Sequence, residues 1–214
     1  MNDYAAERKE MVRDQIARRG LREARLVAAF ESVPRHLFVP PDYRHLAYAD
    51  GPLPIGHGQT ISQPYIVALM TSLLELRGGE RVLEVGTGLG YQAAILSHLA
   101  AEVHTVEWVP ELGASAEKLL QELGLNNVHC HIGDGSLGWP DAAPYDGILV
   151  AAAAPDIPQP LLDQLKENAR LVIPVGGSGY QMMQVWTKRG DHPDCREVTP
   201  VAFVPLRGKH GWPR

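Results

Sequence analysis

The sequence predicts an α/β protein with a doubly wound, mostly parallel sheet, an N-terminal helical extension and an antiparallel C-terminal strand. From residue 81 onward, short β-rich segments alternate with helical ones, which is the pattern of parallel βαβ units. The first of these strands runs directly into a glycine-rich turn over residues 86–90. A later segment, 145–150, is almost wholly apolar, as expected for a strand that is buried on both faces.

The region before the sheet predicts helices and one polar loop. Residues 4–31 carry apolar side chains among charges and predict two helices broken near Gly20. Three prolines then interrupt the chain. The segment "GHGQTISQPYIVALM" predicts a loop that leads into a helix over about residues 62–76. We expect the glycines of 77–79 to close that helix.

The alternating region supplies the sheet. Predicted strands cover 81–85, 103–107, 128–132, 145–150 and 170–175, predicted helices cover 91–100, 110–124 and 158–167, and an antiparallel pair covers 181–188 and 197–206. The length suits one domain over residues 1–214. We expect it to comprise an extension and substrate loop (1–76), a core (77–190) and a C-terminal strand and tail (191–214).

Composition argues against several functions. The net charge is −5 and the pI is about 6.0, so no large basic surface for nucleic acid is expected. Cys130 and Cys195 form no CxxC pair, which argues against a disulfide framework and favours a reducing, cytoplasmic location. No apolar stretch is long enough for a membrane. His129 and His131 share one strand face, but no third ligand is evident, so no metal site is predicted.

The turn after the first strand indicates a nucleoside-type cofactor. Its spacing is G-x-G-x-G, and Tyr91 stands where the dinucleotide fingerprint has its third glycine. S-adenosyl-L-methionine (SAM) has no phosphate to seat on a helix N-terminus, so this turn need only let the backbone pass close to it. A tight structural turn is the other interpretation. The candidate cofactor residues are Glu84, Gly86, Thr87, Gly88 and Gly90.

Acidic residues at the next two strand ends strengthen the cofactor prediction. Glu107 ends the second strand, where a carboxylate can accept hydrogen bonds from both ribose hydroxyls. Asp134 follows the third strand between two glycines, where it can accept from the amino group of an adenine while Gly135 helps to clear space for the ring. A solvated strand-end charge and a plain Asp-Gly turn are the structural alternatives. The three strand ends together predict SAM.

The segment after the fourth strand narrows the methyl acceptor. "AAAAPDIP" lacks the Asp/Asn-Pro-Pro-Tyr/Phe motif of many nitrogen methyltransferases, and no carboxylate cluster for Mg²⁺ is evident. A carboxylate acceptor is already anionic and needs no general base, so catalysis reduces to alignment and exclusion of water. Thr60 and Ser62 lie in a loop without charged side chains and suit this task. Alternatively, Ser62 caps the following helix.

The sequence resembles the protein-L-isoaspartate (D-aspartate) O-methyltransferases. The resemblance covers nearly the whole chain and includes "VPRHLFVP", "GQTISQPYIVALM", "VLEVGTGLGYQAAILS", "VHTVE", "GDGSLGWP" and "APYDGILVAAAAPDIPQPLLDQL". It implies a class I, Rossmann-like methyltransferase fold. It also implies a protein-repair reaction, in which SAM methylates the free α-carboxylate of an L-isoaspartyl, and possibly D-aspartyl, residue. The ester then converts through a succinimide to aspartate.

The resemblance also implies roles for individual residues. Ser62 matches the active-site residue of the family, and Gln59, Thr60 and Ile61 match positions that line the same pocket. Gly86, Gly88, Glu107, Asp134 and Gly135 match cofactor positions. The final segment, "FVPLRGKHGWPR", matches one that helps to cover the substrate. Two departures are Ala151, where many members have threonine, and Leu89, where many have serine.

Three functions remain open from the sequence. The first is methylation of isoaspartyl proteins and peptides by a monomer that uses SAM and releases S-adenosyl-L-homocysteine. The second is SAM-dependent O-methylation of a small-molecule carboxylate, with the N-terminal 76 residues as a different lid. The third is a nucleotide-binding module or dehydrogenase, against which Tyr91 and the Asp134 motif argue. No nucleic-acid or membrane partner is expected.

Overall fold

The N-terminal extension begins with two helices. The computed structural model describes residues 3–177, 179–190 and 192–213. Helix α1 (Tyr4–Met11) continues through a π-helical turn (Val12–Ile16) and a 3₁₀ turn (Ala17–Arg19), and α2 spans Ala24–Ser32. Gly20 lies between them in the left-handed region, with φ of 99°. The predicted break near Gly20 is therefore confirmed.

A β-hairpin replaces the loop that the sequence predicts. After two 3₁₀ turns (Arg35–Phe38 and Pro41–Leu46), β1 (Leu53–Gly56) pairs antiparallel with β2 (Gln59–Ile61). His57 and Gly58 form the connection, with φ of 52° and 70°. Positive φ at both central residues is the requirement of a two-residue hairpin turn of type I′. The loop prediction was wrong because histidine takes the place where asparagine or aspartate usually signals such a turn.

Helix α3 (Pro64–Leu73) begins later and ends earlier than the predicted helix over about residues 62–76. Its first residue is Pro64 rather than Ser62, because proline has the φ of a helix start and needs no amide hydrogen there. The glycines of 77–79 do not close it. Glu75 takes the left-handed position instead, with φ of 53°. Arg170 Nη1 holds Glu75 in a 2.5 Å ion pair and donates to the carbonyl of Leu73 at 3.1 Å.

The remaining elements form the predicted doubly wound sheet. In chain order they are β3 (Arg81–Val85), α4 (Tyr91–Ser97), β4 (Glu102–Glu107), α5 (Pro110–Glu122), β5 (Val128–Ile132), β6 (Tyr145–Val150), α6 (Gln159–Asp163), β7 (Leu165–Gly177), β8 (Tyr180–Thr187) and β9 (Asp194–Val201). The strand order is β5-β4-β3-β6-β7-β8-β9, parallel through β7 and antiparallel for β8 and β9. The predicted fold class is confirmed.

Helix α6 is shorter than the predicted helix over 158–167. It ends at Asp163, and β7 begins at Leu165 instead of residue 170. The reason is pairing with β6: Leu165 lies opposite Tyr145, and the amide of Tyr145 donates to the carbonyl of Gln164 at 2.8 Å. Strand pairing across the sheet therefore overrides the helical pattern of these residues.

Tyr91 joins the extension to the sheet. Its side chain is buried, and its ring lies 6.2 Å from Phe30 and 5.6 Å from Phe38, both edge-on. Tyr91 therefore occupies the position of the third glycine in a dinucleotide fingerprint, and the extension packs against its aromatic ring. Within the described ranges, none of the helices has both the length and the apolar character needed to cross a bilayer.

Candidate active site

A cleft of about 950 Å³ lies at the carboxyl ends of β3 and β4. The strand order reverses between β4 and β6, the two neighbours of β3, and ligands of doubly wound folds bind at this switch point. The β1–β2 hairpin and the C-terminal tail form the other walls. The cleft therefore brings together three segments that are far apart in the sequence.

The hairpin places the predicted substrate residues in this cleft. Gln59, Thr60, Ile61 and Ser62 all line it. Ile61 is buried and fixes the strand, whereas Thr60 is exposed and Ser62 half-buried. The N-cap of α3 is Gln63, and no side chain caps that helix. The alternative that Ser62 caps the helix was therefore wrong, because the hairpin moves the helix start two residues along the chain.

Arg35 holds the backbone of Ser62, and the sequence analysis missed it. Its side chain is fully buried and donates from Nη2 to the carbonyl of Ser62 and from Nε to the carbonyl of Ala47, both at 2.8 Å. The guanidinium carbon lies 4.8 Å from the ring centroid of Tyr91, in a cation–π contact. Burial lowers the pKa of Arg35. A lone arginine within the apolar run "VPRHLFVP" was the available signal.

Two glycines of the turn line the cleft, and the third packs in the core. Gly86 and Gly88 line the cleft with φ of 94° and 56°. Residues other than glycine rarely adopt this backbone conformation. Gly90 is not among the lining residues. A Cβ there would lie 3.2 Å from Leu120 of α5, so this glycine lets α4 and α5 pack closely. Thr87 lines the cleft and its hydroxyl lies 2.6 Å from that of Thr105.

Glu84 brings a buried, incompletely paired carboxyl group to the cleft. The hydroxyl of Thr105 donates to Oε2 at 2.6 Å, while Oε1 has no hydrogen-bond partner among the described residues. Burial raises the pKa of Glu84 to about 8. A buried polar atom without a partner is costly, and a cationic ligand group would satisfy it. The ammonium group of SAM has the required charge.

Glu107 shapes the glycine turn from the end of β4. Oε2 accepts from the amide of Gly88 at 2.8 Å, and Oε1 accepts from the amide of Val109 at 2.9 Å. Burial raises the pKa of Glu107, and the hydrogen bonds from the backbone act in the opposite direction. Glu107 lines the cleft, and each of its carboxylate oxygens has the capacity to accept a further hydrogen bond. Two hydroxyls of a ribose fit this acceptor.

Asp134 is placed differently from the prediction, whereas Gly135 lines the cleft. The Asp134 carboxylate accepts from the amide and hydroxyl of Ser136 and from the amide of Lys209, at 2.6–3.0 Å. It is not among the residues that line the cleft. Gly135 does line it, but a Cβ there would lie 2.5 Å from Cγ1 of Val85. The glycine thus permits close packing against β3.

The C-terminal tail closes one side of the cleft. Leu206 donates from its amide to the carbonyl of Ala153 at 2.8 Å, which fixes the tail beside the end of β6. Leu206 and Arg207 both line the cleft. The resemblance implied that this tail helps to cover the substrate, but the exposed arginine that reaches the same space was not identified from the sequence. The two departures, Leu89 and Ala151, also line the cleft.

Comparisons with known proteins agree with this geometry. The family model described as protein-L-isoaspartate(D-aspartate) O-methyltransferase (PCMT) matches residues 6–211. A protein-L-isoaspartate O-methyltransferase of Methanoregula boonei is 55% identical over 96% of this chain and 95% of its own length. One of Dictyoglomus thermophilum is 50% identical over 98% and 95%.

Solved structures give the same result. A protein-L-isoaspartate O-methyltransferase superposes with a TM-score of 0.85 and 28% identity, over 95% of this chain and 67% of that one. A Plasmodium falciparum protein, described as a putative protein-L-isoaspartate O-methyltransferase in complex with S-adenosyl-L-homocysteine, superposes with a TM-score of 0.80 and 25% identity, over 94% and 98%. The cleft residues and these similarities therefore agree on SAM as the cofactor.

Proposed function

This chain belongs to the protein-L-isoaspartate(D-aspartate) O-methyltransferase family, and we propose that its cleft methylates the free α-carboxylate of isoaspartyl residues in damaged proteins and peptides. One observation carries the proposal. The hydroxyl-bearing hairpin segment, Gln59–Ser62, lines the same cleft as Glu84, Glu107 and the glycine turn. A neutral cradle for a carboxylate thus lies beside a site suited to a cationic nucleoside cofactor.

The cofactor half of the proposal assigns three roles. Glu84 pairs its free Oε1 with the ammonium group, and Glu107 accepts from the ribose hydroxyls. Gly86 and Gly88 let the backbone pass close to the amino-acid part of the cofactor. When bound, SAM supplies a methyl group attached to a positively charged sulfur, and the carbon of this methyl group is the electrophile. The unpaired, buried Oε1 of Glu84 and the raised pKa of its carboxyl group support the assignment of Glu84 to the ammonium group.

The substrate half of the proposal requires alignment rather than proton transfer. A carboxylate oxygen of the substrate attacks the methyl carbon, and the carbon–sulfur bond breaks with its electron pair left on sulfur. The products are a methyl ester and S-adenosyl-L-homocysteine. Ser62 and Thr60 donate to the carboxylate, and Arg35 fixes the backbone from which Ser62 projects. Neutral donors orient the anion without stabilising the ground state as strongly as a paired cation would.

Asp134 acts in this proposal through the tail. Its hydrogen bond to the amide of Lys209 holds the segment that carries Leu206 and Arg207 into the cleft. The hydroxyl of Ser136 accepts from the amide of His210 at 3.0 Å and adds a second attachment. In this conformation the Asp134 carboxylate supports the cover of the adenine and substrate region. Direct acceptance from an adenine amino group requires the Asp134 carboxylate to turn into the cleft.

The proposal is tested with labelled SAM and two peptides that differ only in one linkage. One peptide contains an L-isoaspartyl residue and the other a normal aspartyl residue at the same position. We expect label only in the isoaspartyl peptide, with release as methanol at alkaline pH because the product is an ester. Equal labelling of both peptides, or none of either, would overturn the proposal. Labelling of small carboxylic acids in preference to the peptide would favour the small-molecule alternative.

We further propose that one chain acts alone, as a single domain, in the cytoplasm. The shared core supports a single domain, because Phe30 and Phe38 of the extension pack on Tyr91 of α4. Cys130 and Cys195 are free thiols, as a reducing compartment allows. Size-exclusion chromatography with light scattering should give about 23.4 kDa, and unfolding should show one transition. A dimer mass or two transitions would contradict this.

A further inference from the structure

Four polar side chains gather on β4 and β5, away from the cleft. Parallel pairing sets His104 directly opposite His129, and Glu102 precedes His104 by two residues on the same strand face. His131 lies two residues beyond His129. The sequence pattern indicates only the two histidines of β5, because the remaining groups belong to the neighbouring strand and only the register brings them together.

The contacts among these groups are short. His104 Nε2 lies 3.0 Å from Glu102 Oε1, and His129 Nε2 lies 3.8 Å from the same oxygen. The candidate ligand atoms of Glu102, His104 and His129 all lie within 4.8 Å of one another. Two imidazole nitrogens and a carboxylate oxygen therefore already converge, and a small inward movement of exposed His129 brings them to a common ion.

We propose that Glu102, His104 and His129 form a binding site for a borderline divalent transition-metal ion such as Zn²⁺. Imidazole and carboxylate ligands suit Zn²⁺ and its neighbours in the first transition row, whereas Mg²⁺ and Ca²⁺ prefer oxygen ligands alone. Three protein ligands leave a fourth position for water. The ion links β4 to β5, the edge strand of the sheet, and so stabilises the folded chain.

The surroundings orient the ligands in the way that metal sites require. His104 Nδ1 lies 3.0 Å from Nε2 of His131, whose ring stacks on Trp139 at 4.0 Å between centroids. With the proton of His104 on Nδ1 and donated to His131, Nε2 presents its lone pair to the ion. Arg81 is the nearby cation. It binds Oε2 of Glu102 at 2.6 Å and leaves Oε1 for the metal.

The site is separate from the cleft. Glu102 is the first residue of β4 and Glu107, which lines the cleft, is the last. Metal binding can thus be measured without substrate, and its outcome does not depend on the proposed methyl transfer. Cofactor binding then serves as an independent check that each variant is folded.

The test is titration of tag-free protein with Zn²⁺ by calorimetry at neutral pH. We expect one ion per chain and a higher unfolding temperature with Zn²⁺. His129→Ala and Glu102→Gln should each weaken Zn²⁺ binding at least about tenfold and abolish the thermal shift. His98→Ala, which removes an exposed histidine at the end of α4, is the matched control and should bind like the unmodified chain.

S-adenosyl-L-homocysteine binding is measured on the same samples. Unchanged binding of this ligand in a variant that loses Zn²⁺ shows that the loss comes from the metal ligands and not from unfolding. Absence of stoichiometric Zn²⁺ binding to the unmodified chain overturns the proposal. The proposal is also overturned if His129→Ala binds Zn²⁺ with the same affinity as His98→Ala.

Discussion

The guanidinium of Arg35 donates a 2.8 Å hydrogen bond to the backbone carbonyl of Ser62. The two residues come from different segments, a 3₁₀ turn in the extension and the end of the hairpin, and the bond ties one to the other. Arg35 is fully buried, its other described bond goes to the carbonyl of Ala47, and Nη1 has no partner among the described residues. A buried cation whose described hydrogen bonds go only to backbone carbonyls stabilises a particular backbone position.

Arg35→Met should lower turnover more than cofactor affinity. The change leaves the carbonyls of Ala47 and Ser62 without donors, so we expect a loss of about 2–4 kcal/mol in unfolding free energy. Because Ser62 then shifts, kcat should fall at least about tenfold in folded protein. Arg35→Lys should recover part of kcat, and Arg44→Met, an exposed arginine nearby, should behave like the parent. A folded Arg35→Met variant with the parent kcat would contradict the positioning role.

Ser62→Ala should separate catalysis from stability. The hydroxyl does not cap α3, so the unfolding free energy should change by less than about 0.5 kcal/mol. Loss of one hydrogen bond to the reacting carboxylate should lower kcat/KM for an isoaspartyl peptide by about 5- to 100-fold. Ser115→Ala, an exposed serine of α5, is the control. A variant that loses stability but keeps kcat/KM would assign Ser62 a structural role instead.

Glu107→Gln should weaken the cofactor. The amide keeps the volume of the side chain but replaces one acceptor oxygen by a donor, which faces either the amide of Gly88 or that of Val109. We expect S-adenosyl-L-homocysteine binding to weaken by about 1–3 kcal/mol in calorimetry. Glu111→Gln, an exposed residue at the start of α5, should bind normally. Parent affinity in Glu107→Gln would mean that the ribose lies elsewhere.

Glu84 should make the unliganded chain less stable as the pH rises. Its pKa is about 8 in the folded state against 4.5 for the free group. Between pH 4.5 and about 8 the folded chain therefore keeps a proton on Glu84 that the unfolded chain has lost. The contribution of Glu84 to the unfolding free energy is fully present below about pH 4.5 and is lost as the pH rises through about 8. In this pH range the unfolding free energy of Glu84→Gln should rise relative to that of the parent by up to about 1.4 kcal/mol per pH unit.

Urea unfolding at several pH values, without cofactor, measures this difference. Glu117→Gln, on the exposed face of α5, controls for the loss of one acidic residue. Parallel pH profiles for Glu84→Gln and the parent would show that Glu84 does not retain its proton in the folded state.

Arg207→Ala should affect the substrate and leave the cofactor site unchanged. Arg207 lines the cleft from the tail and is exposed. Its attraction for an anionic peptide is therefore weak, because solvent and salt screen the charge. We expect KM for an isoaspartyl peptide to rise about two- to fivefold, more at low salt than at high salt. Lys209→Ala removes a neighbouring charge outside the cleft lining and keeps the backbone bond to Asp134. Equal effects of the two variants would indicate general attraction rather than a contact in the cleft.

Local sequence patterns by themselves determined the order of strands and helices, the fold class, the glycine turn and the acidic residue at the end of β4. Each depends on residues within one or two neighbouring elements, since hydrophobic periodicity and turn chemistry act over short distances. The conserved geometry of parallel sheets then places successive strand ends at one edge, so the cofactor region followed from the sequence.

Only the tertiary structure decided how distant segments meet. The bond from Arg35 to Ser62, the attachment of Asp134 to Lys209, the entry of Arg207 into the cleft and the convergence of His104 with His129 all join residues from different elements. Such contacts depend on register, on packing and on the path of the chain after its last strand. A local pattern carries no record of them, because many arrangements of the same elements would preserve it.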